Sequence, residues 1–378
     1  MTRAVFLAHT AAPSGAELAT LRLLDALRAT GRYQVTMIYT EDGPMVARMR
    51  ARDIETRVVA GQFDSRAMRI GTGVLGLITG FIALLRLGWA VGAAVGETRA
   101  DVVVAESTKA LVLGAVAARR ARVPLVWQVH DRVSPDYFGK LPALAIRVLA
   151  RLVCRGQLAN SRATAATLPS GPVTTIAYPG VELPAAQADP RTRPATEAVV
   201  VVVGRLSPWK GQDVFLRAIA ALRVRPGRVI LVGGTFFGEE PYRAQLEKLA
   251  AELGVAAEFT GHVDDPVEYL TAADILVHCS VLPEPFGQVV VEGMAAGCAV
   301  VAATPGGPAE IIHTGVDGLL VPGGDVAALT TALETLLHDP AARARLAIAG
   351  RDRARDFDIH TSARTVADFL DTLVTRGD

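Results

Sequence analysis

The feature that most constrains the fold is an alternation between short, apolar, β-branched runs and segments with helical spacing. In the first half of the chain, leucines recur every three residues over 15–30, which predicts a helix with one apolar face. Apolar runs that predict buried strands flank such segments, at 3–9, 33–40, 101–107 and 123–131. Strands separated by helices predict a parallel sheet with crossover helices.

The same alternation begins again after 182–198, a Pro- and Ala-rich stretch without periodicity that is typical of a connection between domains. The chain is therefore predicted to be an α/β protein with two Rossmann-like, doubly wound domains. Ligands of such sheets bind beyond the carboxyl ends of the strands, so two facing domains would enclose a cleft. The strands predicted for the second half lie at 198–206, 228–234, 273–280, 298–303 and 318–322.

The predicted organisation is an N-terminal domain over 1–182, a C-terminal domain over 183–352, and a helical segment over 353–378 that packs back on the N-terminal domain. With 51% hydrophobic and 20% charged residues among 378, the chain has enough apolar material for two buried cores. A net charge of +1 provides no overall field that would recruit nucleic acid, so no nucleic-acid partner is expected.

The cysteines indicate a reducing compartment, because they are three in number, scattered, and without the spacing of a zinc site or disulfide framework. The apolar run at the N-terminus is too short for a signal peptide, so a cytoplasmic location is expected.

Two segments raise the question of contact with the inner face of the cell membrane. Residues 70–95 are almost continuously apolar and long enough to span a bilayer, with Arg86 as the only charge. Recurring glycines and the central arginine favour instead a buried or membrane-apposed helix pair. A helix predicted over 142–156 carries a basic row that is either a solvated face or a stripe for anionic lipid. The row consists of Arg147, Arg151 and Arg155.

The stretch VVVGRLSPWKGQD, residues 201–213, carries two cations at the predicted end of a strand. The strand runs into Gly204, Arg205 follows in the loop, and Lys210 lies just before a helix. Two cations beside a helix N-terminus predict a diphosphate-binding pair, with ordinary loop charges as the alternative.

The stretch PEPFGQVVVEGMAAG, residues 283–297, holds two glutamates. One interpretation is a general acid paired with a general base. However, Glu284 lies in a loop and Glu292 in a helix that starts near Gln288, so the two carboxylates are expected to contact different parts of one ligand. A carboxylate that accepts hydrogen bonds from two hydroxyl groups suits a ribose, which is the role predicted for Glu292.

Several motifs together closely resemble the GT4 family of retaining glycosyltransferases, which have the GT-B fold. The resemblance is collinear from about 199 to 325 and looser in the N-terminal half. Ala299, where the family often has Pro, and Gly293, where it usually has Ala, are small-for-small departures. The motifs are GRLSPWKG, EPFGQVVVEGMAAG, ATPGGPAEII and GVDGLLVPGGD, then PSGAE, VWQVHD and LANSRAT.

The resemblance implies a nucleotide-sugar donor that is bound mainly by the C-terminal domain. Arg205 and Lys210 match the diphosphate-binding residues of the family, and Glu292 matches its ribose ligand. Glu284 would face the donor sugar and the distal phosphate together with a stretch of backbone. That stretch comprises Phe286, Gly287, Gln288 and Val289.

Other implied donor contacts are Gly204 at the strand end and His262 with Val263, which would frame the nucleobase. Gly15 matches a glycine loop that approaches the diphosphate, where only a residue without Cβ fits. His130 matches a histidine near the donor sugar and the acceptor. Considered on its own, His130 is either a structural histidine or an active-site residue, and its place at the carboxyl end of a predicted strand favours the active site.

The family resemblance suggests front-face substitution with retention, in which the departing diphosphate takes the proton of the acceptor hydroxyl. The residues assigned to catalysis are His130, Arg205, Lys210 and Glu284. No metal and no cofactor beyond the nucleotide-diphosphate sugar are expected. The Asp-x-Asp at 356–358 is interpreted as a structural or capping element.

The acceptor expected is a hydroxyl group, lipid-linked, in cell-envelope, exopolysaccharide or glycolipid assembly. A soluble natural-product acceptor, a nucleotide-sugar epimerase or phosphorylase of the same fold, and a non-catalytic carbohydrate-binding protein are the alternatives. A NAD(P)-dependent oxidoreductase is disfavoured, because the loop after the first strand, HTAAPSGAE, lacks a G-x-G-x-x-G fingerprint.

Overall fold

The structure is a computed structural model, in which the chain forms two units. The first comprises Met1–Gly180 together with the helix that begins at Ile359, and the second comprises Val181–Asp358. The corresponding predicted boundaries are 182/183 and 352/353. The residues that the structure describes are 1–60, 74–184, 192–235 and 238–374.

The first unit is built on a parallel sheet whose strand order is β3-β2-β1-β4-β5-β6-β7. Its central strands are rich in valine and leucine and buried on both faces, as expected for a parallel sheet covered by helices. The order reverses between β1 and β4, which creates a switch point at their carboxyl ends. The strands are β1 Thr2–Ala8, β2 Tyr33–Tyr39, β3 Glu55–Val58, β4 Val102–Ala105, β5 Leu125–Val129, β6 Gly156–Ala159 and β7 Val173–Ile176.

Helices cover both faces of this sheet. Leucines and methionines of α1 and α2 belong to one core cluster, whereas α3, α4 and α6 contribute to another cluster on the opposite face. The helices of the first part of the unit are α1 Gly15–Ala29, α2 Pro44–Ala51, α3 Val74–Glu97, α4 Thr108–Ala121, α5 Pro135–Phe138, α6 Lys140–Val153 and α7 Arg162–Ala165.

Two helix predictions for this unit are wrong. The apolar segment 70–95 does not form a helix pair in its described part, because Val74–Glu97 is one continuous helix that packs along α4; residues 70–73 lie outside the described residues. The helix predicted over 142–156 ends at Val153. Beyond it, the backbone N–H of Arg155 donates to the carbonyl of Leu125 at 2.8 Å, where the pairing of β5 with β6 begins. Arg155 is therefore not part of a helical stripe.

The second unit repeats the plan with a parallel sheet of order β10-β9-β8-β11-β12-β13. Its central strand β8 consists of valines only, and the order reverses between β8 and β11. The strands are β8 Val199–Val203, β9 Arg228–Val232, β10 Ala257–Gly261, β11 Ile275–His278, β12 Ala299–Thr304 and β13 Leu319–Pro322. The helices are α8 Gln212–Ala221, α9 Glu240–Glu252, α10 Val267–Ala272, α11 Gln288–Ala295, α12 Pro308–Ile311, α13 Val326–His338 and α14 Pro340–Ala354.

The chain then returns to the first unit as α15, Ile359–Val374. The apolar face of α15 packs against α1 and completes the first core cluster, and Arg32 contacts two aspartates of α15. The return requires a glycine at position 180, where a Cβ would stand 2.4 Å from the Cα of Ile359. Both doubly wound sheets agree with the predicted fold class.

Candidate active site

The predicted donor-binding residues of the second unit come from loops at the carboxyl ends of β8 and β11, the two strands at the switch point. Arg205 follows Gly204 directly after β8, and Lys210 ends a short 3₁₀ turn that begins at Pro208. Glu284 lies in the loop between β11 and α11. The fold therefore brings residues that are 74 positions apart to one edge of the sheet.

Three donors converge on one carboxylate oxygen at this edge. The Glu284 Oε2 atom accepts hydrogen bonds from Lys210 Nζ at 2.7 Å and from Ser280 Oγ at 2.8 Å. His278 Nε2 lies 3.3 Å from the same oxygen. Because all three donors contact Oε2, the Oε1 atom keeps its acceptor capacity as far as the described residues show.

The pKa of Glu284 shows that this group stays a carboxylate. Burial alone would raise its pKa, but the charge of Lys210 and the hydrogen bond from His278 outweigh burial and hold the pKa well below its ordinary value. A carboxyl group held ionised in this way is unsuited to act as a general acid. The arrangement instead favours binding, since it orients Lys210 and fixes the loop that carries Glu284.

Sequence analysis missed His278, which is only 4% exposed at the last position of β11. Its Nδ1 atom accepts a long hydrogen bond from the backbone N–H of Ala303 at 3.4 Å. This contact leaves the proton on Nε2, which faces both Glu284 and Ser280. The available signal was a histidine at the end of an otherwise apolar strand, where burial demands partners on both ring nitrogens.

Arg205 and Lys210 are each paired with a carboxylate. Arg205 Nε lies 3.3 Å from Glu239 Oε2, a partner that sequence analysis also missed, just before α9. The Lys210 ammonium lies 4.2 Å from the centroid of the Trp209 ring, which adds a cation–π contact. Both cations are only partly exposed.

The start of α11 supplies the remaining predicted contacts. Gly287 caps the helix with φ of +89°, and a Cβ there would stand 3.0 Å from a proline ring carbon. Gln288 and Val289 follow, both half-buried. Glu292 lies one turn further along, half-buried, and accepts a hydrogen bond from Gln288 Nε2 at 2.8 Å. The side chain of Phe286 is buried against another phenylalanine, so only its backbone is available to a ligand.

The other predicted donor contacts lie elsewhere on the two sheets. Gly204 has φ of +150°, which favours glycine at the end of β8. His262 and Val263 follow β10 at the outer edge of the second sheet, and His262 Nε2 lies 3.5 Å from Asp264. No described atom lies within 4 Å of a Cβ built on Gly15, so the packing of the chain itself does not require glycine there.

In the first unit, His130 follows β5 and contacts a residue that sequence analysis did not select. His130 Nε2 lies 3.1 Å from Glu106 Oε2, and Thr20 Oγ1 donates to the same oxygen at 2.7 Å. Burial lowers the pKa of His130, but the hydrogen bond and the charge of Glu106 outweigh it, so the pKa lies above its ordinary value. A raised pKa favours the protonated form, so His130 suits a hydrogen-bond donor better than a base.

The surroundings of His130 are polar. The side-chain amide of Asn160, directly after β6, donates to the backbone carbonyl of His130 at 2.8 Å. A small cavity beside the imidazole is lined by Glu17, Tyr39 and Glu106, and the buried Oε1 of Glu106 has no hydrogen-bond partner among the described residues. Such atoms accept hydrogen bonds from hydroxyl groups.

Within the described ranges, no group of three or more His, Cys, Asp and Glu side chains is arranged to hold a metal ion. The Asp-x-Asp segment at 356–358 belongs to a short turn, in which Asp356 accepts a hydrogen bond from Arg353 at 2.6 Å. Likewise, none of the helices in the described part of the chain is long and apolar enough to cross a bilayer. Independence from metal ions stays a prediction.

Two doubly wound parallel sheets with these loops define a GT-B type glycosyltransferase fold. A crystal structure of Anabaena Alr3699/HepE in complex with UDP and glucose superposes with a TM-score of 0.85 at 29% identity, covering 98% of this chain and 100% of that chain. The pattern described as "Glycosyl transferases group 1" matches residues 186–353, and "Glycosyl transferase 4-like domain" matches residues 14–173. The chain belongs to this family of GT4-type glycosyltransferases.

Among curated relatives, the D-inositol 3-phosphate glycosyltransferase of Streptomyces avermitilis is 33% identical over 288 residues, which is 68% of this chain and 62% of the relative. The GDP-mannose-dependent alpha-(1-6)-phosphatidylinositol monomannoside mannosyltransferase of Mycolicibacterium smegmatis is 37% identical over 168 residues, 42% of this chain and 43% of the relative. The matched stretches thus cover less than two thirds of these relatives' own length.

Proposed function

We propose that the chain is a retaining, metal-independent glycosyltransferase that moves a hexosyl group from a nucleotide-diphosphate sugar to an acceptor hydroxyl. The observation that carries the proposal is the convergence of Lys210, Ser280 and His278 on the buried carboxylate of Glu284 at the switch point of the second sheet. A cation oriented in this way, beside the loop of Arg205, suits a dianionic leaving group.

In this proposal the donor spans the β8 loop and the start of α11. Arg205, Lys210 and the first backbone N–H groups of α11 stabilise the charge that develops on the departing diphosphate. The Oε1 atom of Glu284, which no described donor occupies, accepts a hydroxyl of the donor sugar. Glu292, oriented by Gln288, accepts the hydroxyls of the ribose.

For His130 of the first unit we propose the role of a hydrogen-bond donor to the substrate, as the family resemblance implies. The hydrogen bond and the charge of Glu106 hold the pKa of His130 above its ordinary value, which favours a hydrogen-bond donor over a base at this position. The acceptor proton therefore passes to a diphosphate oxygen as the glycosidic bond to the leaving group breaks and the new bond forms on the same face. This assignment is consistent with retention and needs no enzyme nucleophile.

For the acceptor, we propose a hydroxyl in cell-envelope, exopolysaccharide or glycolipid assembly at the inner face of the cell membrane. One relative named above acts on a phosphatidylinositol mannoside, which supports a lipid-linked acceptor. Another is named for inositol 3-phosphate, which keeps a small soluble acceptor as the alternative.

A donor screen tests the proposal. The melting temperature of the full chain is measured with UDP, GDP, ADP and their sugars, and nucleotide release is then measured with the donor that stabilises it. Lys210→Met should lower turnover by about 100-fold or more. Lys248→Met, which removes an exposed lysine of α9 that also has a glutamate partner, is the matched control and should leave turnover unchanged.

Two further measurements address the finer claims. NMR of the product should show the anomeric configuration of the donor, and chelation with EDTA should leave the rate unchanged. Inverted product would refute retention, and loss of activity on chelation would refute metal independence. Failure of every donor to bind or to release nucleotide would assign the chain to a non-catalytic carbohydrate-binding role.

A further inference from the structure

Helix α6 presents an apolar stripe to solvent instead of to the core. Leu141 is 78% exposed and Leu152 is 76% exposed, with Leu144 and Val148 also exposed between them. The spacing of three, four and four residues places all of these side chains along one side of the helix. Single exposed leucines are ordinary, but a row of this kind on one helix marks an interaction surface. We call these residues the leucine stripe.

Other positions of α6 supply the apolar side chains that this helix contributes to the core. Ala143 and Ala150 are buried, and Ile146, Leu149 and Val153 pack against the core cluster that covers this face of the sheet. The leucine stripe is therefore a second apolar surface on the same helix, exposed in the whole chain.

The charged residues of α6 itself are all basic. Helix α6 contains Lys140, Arg147 and Arg151 and no aspartate or glutamate, although the chain as a whole has a net charge of only +1. Arg147 is exposed and has no ion-pair partner among the described residues. Basic side chains beside a row of exposed leucines fit a surface that is apolar inside and anionic outside.

A neighbouring helix adds a second apolar patch to the same layer. Helices α3 and α6 both pack against α4 on one face of the first sheet. On α3, Ile82, Leu85 and Trp89 are exposed. Residue Trp89 is 58% exposed, and the guanidinium of Arg120 lies 4.4 Å from the centroid of its ring. Tryptophan beside arginine is typical of side chains at the boundary between lipid and water.

We propose that the outer face of α3 and α6 docks on an anionic lipid surface, with the leucine stripe inserted among the acyl chains and the basic residues at the headgroups. Anionic lipid is favoured over a second copy of the chain because α6 carries three cations and no acidic residue. The surface lies outside the candidate active site, so this inference does not rest on the proposed function.

Co-sedimentation of the full chain with vesicles tests the inference. Vesicles of phosphatidylcholine with phosphatidylglycerol should bind the chain at low salt, and vesicles of phosphatidylcholine alone should bind it far less. High salt should weaken binding, because it screens the attraction between arginine and lipid. The triple variant Leu141→Ser/Leu144→Ser/Leu152→Ser should bind at least about tenfold more weakly.

The charge contribution is tested with Lys140→Gln/Arg147→Gln, which should weaken binding to anionic vesicles and keep its melting temperature, because both side chains are exposed. The matched control is Val316→Ser/Ile348→Ser, which removes two exposed apolar residues of the second unit and should bind like the original chain. All of these positions are exposed, so the variants are expected to fold.

Three results would overturn the proposal. The first is absence of binding to anionic vesicles at low salt, and the second is unchanged binding of the leucine variant. The third is a dimer in light scattering that the leucine variant converts to a monomer, with no vesicle binding by either form; this would assign the stripe to a second copy of the chain.

Discussion

The contact between Lys210 and Glu284 leads to a prediction about stability that can be made before any substrate is known. At 2.7 Å and an effective dielectric constant of about 20, two unit charges attract by about 6 kcal/mol. Desolvation of each ion costs several kcal/mol, so the net contribution is much smaller. Lys210→Met nevertheless leaves a nearly buried carboxylate without its cation, which should destabilise the second unit by about 3 kcal/mol.

Glu284→Gln should cost less, about 1–2 kcal/mol, because the amide keeps a hydrogen bond from Ser280 and the lysine retains partial exposure to water. The double variant Lys210→Met/Glu284→Gln has no unpaired charge at this site. Its destabilisation should therefore be at least about 2 kcal/mol smaller than the sum of the two single effects.

The penalty of Lys210→Met should also depend on pH. In the original chain the pKa of Glu284 is lowered, so its contribution is present above the pKa of the unfolded chain and is lost only as the pH falls through the lower folded value. Without Lys210, burial raises the pKa of this carboxyl group, and the ionised form is penalised at higher pH. The loss of stability should thus be larger at pH 8 than at pH 5.5.

Scanning calorimetry and urea unfolding of the full chain at both pH values measure these effects. The transition shifted by Glu284→Gln identifies the second unit, and Lys248→Met serves as the control for loss of a surface lysine. Additive effects of the two single variants, within about 0.5 kcal/mol, would refute the coupling. A penalty for Lys210→Met that is equal at both pH values would refute the assigned ionisation.

Three further predictions concern single residues. Glu106→Gln should lower the pKa of His130, since it removes the carboxylate whose charge raises that pKa against the effect of burial. NMR titration of the imidazole measures this pKa, and an unchanged value would contradict the assigned pair. Glu292→Gln should raise the KM for the donor by about tenfold with little change in kcat or in melting temperature, and an effect on kcat alone would argue against ribose binding. Gly287→Ala should destabilise the second unit by about 1–3 kcal/mol, which is more than Gly297→Ala. Both glycines have positive φ, but only Gly287 also faces a close proline ring. Equal losses of stability in thermal unfolding would contradict the steric part of this explanation.

Strands could be predicted where they form continuous β-branched runs that are buried on both faces, because valine runs such as 199–203 have few alternatives. The prediction missed β3, β7 and β10, which are short, partly polar and at the sheet edges, where one side of the strand faces solvent. It also missed β6, which is buried but only four residues long and contains no β-branched residue. For α6, periodicity continued past Val153 into a region where strand pairing determines the backbone, so the predicted helix was too long.

Site residues that belong to local sequence motifs could be predicted, whereas those that are defined by tertiary contacts could not. The loop of Arg205 and Lys210 and the start of α11 have characteristic sequences. By contrast, Glu106 and Glu239 were missed because their partners, His130 and Arg205, lie far away in sequence. His278 was missed because it was counted only as the end of a buried strand, although its contacts lie in the loop that follows. The exposure of the leucines of α6 could not be predicted either, since amphipathic spacing predicts that leucine faces the core and arginine faces water.

The path of the chain through the two units has a consequence for the order in which they become complete. Because α15 lies after the second unit in sequence but within the core of the first, the second unit, Val181–Asp358, is an insertion in the first. During synthesis, every strand and helix of the second unit has emerged before the leucines of α1 meet their partners on α15. The domain that is made first is therefore finished last, and its exposed α1 face is the part of the nascent chain most in need of protection.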